Sequence, residues 1–480
     1  MSAAQKMQQA LDADERAASP LGTRHADTGR LILDPKKTQP TAEAYVAEFH
    51  AHPDAYTLRS RHGAMLEWRD NHYRAISDAT LKHRLQPWLH RALRLKVADS
   101  GRVTLHDFDA NPTTTSQALE SLRSHVHLPD DIAPPCWLDG RTDPLAKELV
   151  ACRTHNLHVP TGAVLPATPA LFTTNALDYD YDPRAPEPKR WLAFVDEIIG
   201  DDQESIDLLQ EFFGYLISGD TSLQKALMLV GPRRSGKGTT GRVLTGTVGA
   251  SNVANPTTSS LAGTFGLQPL IGKSVAIVSD ARFSGEGVAV VAERLLNITG
   301  EDAVDIDRKF QPSITMRLPT RFVFLTNELP RIADSANALA GRFMVLRLTR
   351  SFYGNEDPML TEALLAERPG ILLWALAGLR RLRARGRFLQ PASAAEAIRD
   401  LEDLASPVGA FVRDDCVVGV ARRVEVERLF NAWKRWCEAE GRSTPGTRQK
   451  FGRDLSAAVA GVRRKRGTGD VPFYEGIDLR

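Results

Sequence analysis

The chain has 480 residues and a formal net charge of +2, with 42% hydrophobic and 25% charged residues. That is the composition of a folded globular protein with about three domains, and it excludes a disordered or fibrous chain and one that holds nucleic acid by total charge alone. Four scattered cysteines without a C-x-x-C pair, no apolar run near the ~18 residues of a membrane span, and no secretory signal core together predict a cytoplasmic protein without a membrane partner.

Residues 1–40 are polar and alanine-rich, and are expected to form a flexible tail. Residues 41–180 read as a separate mixed α/β domain. In it "AEAYVAEFHAH" and "DATLKHRLQPWLHRAL" are helical, "AMLEWRDNHYRAI" is a hairpin, and "NLHVPTGAVLPATPALFTT" is strand, turn, strand. Residues 181–390 open with the helical pattern "RWLAFVDEIIGDDQESIDLLQEFFGYLIS" and then alternate the buried strands "ALMLV", "SVAIVS" and "RFVFLT" with helical stretches. This alternation predicts an α/β fold on a mainly parallel sheet. "PGILLWALAGLRRLRARG" is a helix with a basic end, residues 391–405 are expected to be a linker helix, and residues 406–480 a last small domain.

The stretch after "ALMLV" carries the chemistry. Gly231, Pro232, Arg233, Arg234, Ser235, Gly236 and Lys237 fit G-x-x-x-x-G-K, and a helix follows through Gly238, Thr239 and Thr240. Glycines let backbone N–H groups turn inward around a phosphate, the helix points its positive end at the same anion, and Lys237 reaches the β- and γ-phosphates. ATP with Mg2+ is the ligand this pattern calls for. The usual hydroxyl residue after the lysine is replaced by Gly238. Either Thr239 supplies the hydroxyl or the metal is held largely through water.

Asp280 ends the strand "SVAIVS", where the metal or the attacking water is held in such ATPases. Only one acidic residue stands there, so Asp280 serves the metal, the water, or both. Asn327 ends "RFVFLT" and is placed to bond the attacking water or the γ-phosphate. A lone Asn in a turn is ordinarily structural, and the order of loop, acid strand and Asn strand favours function here. Arg342 in "ALAGRFMVLRL" is either a surface arginine or a finger reaching a neighbouring subunit's nucleotide. Arg308 and Lys309, beside Phe310, make a basic–aromatic tip that suits single-stranded nucleic acid. In the last domain "VRRKRGTGDVPFYEGIDL", with Arg463, Arg464, Lys465 and Arg466, reads as a two-stranded wing with a basic arm after two helical patterns, an order that suits duplex DNA binding.

Taken in order, "GPRRSGKGTT", "VAIVSDARF", "ITGEDAVDIDRKF", "FLTNELP" and "GRFMVLRL" resemble the superfamily 3 helicases. More closely, the chain resembles the phage/plasmid primase family, the helicase part shared by satellite-phage, plasmid and poxvirus primase-helicases. The resemblance covers about residues 41–480 and includes "VPTGAVLPATP", "LDYDYDP", "SFYGNEDP" and "FYEGIDL". It implies an AAA+-like P-loop core, a C-terminal winged-helix domain, a hexameric ring and 3′→5′ unwinding. It makes Lys237 the loop lysine, Asp280 the second-motif acid, Lys309 the pore-hairpin lysine, Asn327 the sensor and Arg342 the finger. The expected protein is an ATP-dependent DNA helicase for replication of a mobile element. It would hold one strand in its channel and duplex at the winged helix, and lack its own primase, so that a separate primase becomes a partner. A DNA-binding initiator ATPase without processive unwinding, and a nucleotide kinase with a similar loop, are the competing readings. Cys152, His155 and His158 at zinc-like spacing lack a fourth ligand and are expected to be structural.

Overall fold

The computed structural model describes residues 21–97, 103–281, 287–330, 339–442, 445–467 and 470–480. The chain divides into two compact units, Met1–Asp180 and Tyr181–Arg480.

In the first unit, helices Gln39–Phe49, Asp78–His90 and Pro112–His125 enclose a core that includes Tyr45, Leu85, Trp88 and Leu122. Strands Leu58–Arg61, Ala64–Arg69 and His72–Ile76 form an antiparallel sheet. A second antiparallel sheet joins Leu149–Ala151, His155–His158 and Ala163–Pro166. The expected tail is corrected in its second half. Ile32–Leu33 pairs with Leu93–Val97, and both residues are buried. The apolar triplet Leu31, Ile32 and Leu33 enters the core although polar residues flank it. Residues 1–20 lie outside the described residues.

The second unit begins with helices α1 (Lys189–Ile199) and α2 (Gln203–Ile217). Then come β1 (Ala226–Val230), α3 (Lys237–Val248), β2 (Val253–Ala254), β3 (Val275–Ser279) and α4 (Val288–Thr299). A hairpin of β4 (Ala303–Arg308) and β5 (Gln311–Arg317) precedes β6 (Arg321–Thr326) and β7 (Phe343–Arg347). The five-stranded sheet runs β2-β3-β6-β1-β7, parallel throughout. Every residue of β1 and β6 is buried. Strands covered on both faces read as continuous apolar runs rather than alternating ones.

A polar residue fixes the amino edge of this sheet. Arg321, buried at the start of β6, donates to the carbonyls of Tyr215 (3.0 Å), Leu216 (3.3 Å), Asp220 (3.0 Å), Ser218 and Ser274. The last carbonyls of a helix have no partner within it and carry the negative end of its dipole. One guanidinium therefore caps α2 and ties it to β6.

Helix α5 (Arg368–Arg385) packs on α2, where Arg381 and Arg385 pair with the buried Glu211. Helix α6 (Ala395–Ala405), expected as a linker, buries Ala397, Leu401 and Ala405 in the core of the parallel sheet. The C-terminal part runs α7 (Pro407–Asp415), β8 (Cys416–Glu425), α8 (Val426–Ala439), α9 (Arg448–Ala458), β9 (Arg463–Arg466) and β10 (Pro472–Leu479). Its antiparallel sheet has the order β8-β10-β9. Where two strands were expected the sheet has three, the third being β8. It takes up Arg423, Val424 and Glu425, which read as the start of a helix in sequence.

Arg321→Met is expected to lower the unfolding free energy by at least about 3 kcal/mol, because several buried carbonyls lose their donor at ~1–3 kcal/mol each. Urea unfolding followed by circular dichroism measures this, and Arg321→Lys should recover part of the loss.

Candidate active site

The segment Gly231–Gly236 joins β1 to α3 at the carboxyl edge of the sheet. Two of its positions require glycine. A Cβ on Gly231 would stand 2.5 Å from the Leu348 carbonyl oxygen. Gly236 has φ +88°, and a Cβ there would meet Ile198 of α1 at 2.8 Å. Arg234 also takes the left-handed conformation, at φ +59°. The chain therefore curls tightly and leaves Pro232, Arg233 and Arg234 exposed while Ser235 and Lys237 are buried.

The Lys237 ammonium donates to the carbonyls of Gly231 and Pro232, both at 2.7 Å, and to Ser235 Oγ at 3.2 Å. Burial pulls its pKa below the usual lysine range, and the nearby Asp280 carboxylate pulls it back up. Asp280 follows β3 with φ +50°, an uncommon backbone for a residue other than glycine, and is exposed. Asn327 follows β6 and is exposed too. Val230 pairs with Thr326, and Ser279 with Leu325. The register thus brings Gly231, Asp280 and Asn327 to the ends of three adjacent strands.

Thr326 fastens those ends, a role its sequence position does not reveal. Its carbonyl accepts the Gly231 N–H at 3.2 Å. Its buried hydroxyl lies 2.6 Å from the Glu328 carbonyl oxygen and 3.2 Å from that of Ala281. The segment after β7 also holds the loop, through contacts that carry no sequence signal. Ser351 Oγ donates to the Arg233 carbonyl at 2.8 Å, and the Phe352 N–H to that of Arg234 at 2.9 Å.

The residues after the lysine are distributed as follows. Gly238 is exposed, and a Cβ there would find nothing nearer than Arg242 Nη1 at 3.4 Å, so neither packing nor backbone imposes glycine. Thr239 Oγ1 accepts from Arg242 Nη2 at 3.1 Å, and Thr240 Oγ1 donates to the Gly236 carbonyl at 3.1 Å. Among the described residues no group of three or more His, Cys, Asp or Glu side chains is arranged to hold a metal unaided. In the first unit, Cys152 is buried, His155 lies 3.4 Å from Asp180, and His158 lies 3.4 Å from Glu148.

Arg342 is not brought to this edge. It precedes β7, whose Phe343 pairs with Ala226 at the start of β1, and its Nη1 donates to Gln224 Oε1. A strand of this length spans roughly 16 Å, so Arg342 faces the opposite edge from Lys237, Asp280 and Asn327.

Two other candidate surfaces are exposed. Lys309 and Phe310 form the turn between β4 and β5, with Arg308 paired to Gln311. Phe310 is 95% exposed, the Lys309 ammonium lies 5.2 Å from its ring centre, and Gln268 Oε1 accepts the Lys309 N–H at 3.1 Å. All of Arg463–Arg466 is exposed on β9, with Lys465 paired to Glu475 at 2.6 Å and Arg466 to Asp470 at 3.0 Å.

Residues 229–342 match the model of a family of unknown function, DUF5906. That span holds the glycine loop, Asp280, the β4–β5 hairpin, Asn327 and Arg342. The chain is also similar to two solved structures of the C-terminal region of NrS-1. One, its apo structure, aligns with a TM-score of 0.53 at 13% identity, and the other, its A form, with 0.51 at 14%. Each alignment covers 93% of this chain and 99% of the other. This is a likeness of fold: a mixed α/β architecture shared along nearly the whole chain.

Thr326→Val, which keeps shape and removes the hydroxyl, is expected to lower the unfolding free energy by about 1–3 kcal/mol. Thr326→Ser should stay close to the parent. Denaturant unfolding of the two variants side by side checks the fastening role.

Proposed function

We propose that this chain is an ATP-driven DNA helicase of the superfamily 3 kind, acting as a hexameric ring with 3′→5′ polarity in replication of a phage, plasmid or other mobile element. The observation that carries the reading is the convergence of the glycine loop with Lys237, Asp280 and Asn327 at one edge of a parallel sheet. Ligands of open α/β sheets bind outside the carboxyl ends of the strands. A curled loop, a helix amino end and a buried ammonium suit a polyphosphate.

In this reading Gly231–Gly236 is a P-loop in an AAA+-like core. The N–H groups of Arg233, Arg234, Ser235 and Gly236 and those of Gly238 and Thr239 cradle the phosphates, Thr240, whose N–H is held by the Gly236 carbonyl at 2.9 Å, closes the first helical turn beneath them, and Lys237 exchanges loop carbonyls for phosphate oxygens. Asp280 and the phosphates would hold Mg2+, which supplies charge neutralisation; Thr239 is the alternative hydroxyl. Asp280 and Asn327 orient a water on the γ-phosphorus. Its attack forms a P–O bond as the bond to the β-phosphate oxygen breaks, releasing ADP and phosphate. Arg342, at the far edge of its own sheet, is suited to act on the nucleotide of a neighbouring subunit. Arg308, Lys309 and the exposed Phe310 would contact a single strand in the ring channel by charge and stacking. Arg463, Arg464, Lys465 and Arg466 would contact duplex phosphates on a winged-helix domain. DNA-stimulated turnover separates this reading from an initiator that uses ATP only to assemble. Failure to phosphorylate AMP separates it from a nucleotide kinase.

Lys237→Ala and Arg342→Ala are each expected to lose at least about a hundredfold in ATP hydrolysis, since each removes charge stabilisation from the phosphoryl transition state. When the two variants are mixed and shown by native mass spectrometry to share rings, activity should reappear at interfaces that combine the intact residues. Steady-state phosphate release measures it. Mixed rings that stay silent would remove the argument for action in trans.

A further inference from the structure

A nucleoside triphosphate has two ends, and the proposed function accounts for one. Asp280 and Asn327 follow β3 and β6, on one side of the loop strand β1, while β7 lies on its other side. With the γ-phosphate toward Asp280 and Asn327, the base extends over the loop toward the segment that leaves β7.

That segment is tied to the loop along its length. The Leu348 N–H donates to the Val230 carbonyl at 2.8 Å, and Ser351 and Phe352 bond the carbonyls of Arg233 and Arg234. Glu356 pairs with Arg234 at 3.3 Å and accepts the Gly354 N–H at 3.1 Å. The chain then makes a tight turn: the Asn355 N–H donates to the Phe352 carbonyl at 2.9 Å, and Gly354 has φ +86°. A glycine at positive φ in the third position is the signature of a type II turn, which puts Tyr353 in the second. Tyr353 is 79% exposed. This aromatic ring therefore stands out from a turn whose backbone is bonded to the loop, beside the exposed Arg233 and Arg234.

We propose that the Ser351–Glu356 turn is the base subsite of the nucleotide site and that Tyr353 stacks on the purine of the bound triphosphate. The inference rests on the reading of Gly231–Lys237 as a phosphate loop. Stacking recognises a π-face, so the subsite selects for the presence of a base, while the phosphates are held elsewhere.

The test compares ATP with inorganic tripolyphosphate, which has the phosphates and no base. Dissociation constants for both are measured by calorimetry on the full chain, for the parent, Tyr353→Ala and Tyr353→Trp. Tyr353→Ala is expected to weaken ATP by roughly five- to 150-fold, the scale of one stacked base, and to leave tripolyphosphate unchanged. Tyr353→Trp should keep ATP affinity near the parent value. Equal weakening of both ligands, or no weakening of either, would overturn the subsite. A parent chain that binds tripolyphosphate as tightly as ATP would also overturn it while leaving the loop intact. A parent chain that binds neither would overturn the phosphate loop and the subsite with it.

Discussion

Thr326 is the residue through which three strands share one edge. Its carbonyl holds the first glycine of the loop, and its hydroxyl holds the turns that follow β6 and β3. In a parallel sheet all carboxyl ends lie on the same side, so side chains far apart in sequence meet without any local motif between them. Asp280 and Asn327 follow two strand ends and Lys237 opens the helix after a third, and a slip in the register of β6 would separate them.

The opposite edge is built for a different purpose. Arg321 is buried under the end of α2 and satisfies carbonyls that a helix end leaves open. Arg342, on the same edge, bonds Gln224, and the Lys225 ammonium bonds the Gly341 carbonyl. One sheet thus carries a polyphosphate-compatible edge and a cationic edge, separated by the length of its strands. The ring proposed above would bring the Arg342 edge of one subunit to the loop edge of the next. The hairpin adds a connection, because Gln268, which accepts from Lys309, belongs to the segment that leads into β3 and hence to Asp280.

The parts legible in sequence were those with strong local signals. Strands β1, β3 and β6 are continuous apolar runs because the sheet is covered on both faces, and the loop is set by glycines that no other residue replaces without a clash. Asp280 and Asn327 were readable as the first polar residues beyond two of those runs. Thr326 was not, because its work is done through a backbone carbonyl and a hydroxyl whose partners are set by register. Helix α6 looked like a linker since its buried face is mostly alanine. Strand β8 was hidden because the pairing skips between Val418 and Arg423, which breaks the alternation that marks a strand. The turn at Tyr353 lies within "SFYGNEDP", and only its bonds to Arg233 and Arg234 connect it to the loop.

The proposed nucleotide site lies at one edge of a sheet and the exposed basic–aromatic tip belongs to the same unit, and the central claim is that the two communicate. The most direct measurement is the rate of ATP hydrolysis by the full chain as single-stranded DNA is titrated in, compared with the same titration of Phe310→Ala. The account predicts a rate that rises with DNA in the parent and loses that rise when the ring at position 310 is removed. A parent rate indifferent to DNA, or a rise untouched by Phe310→Ala, would contradict it.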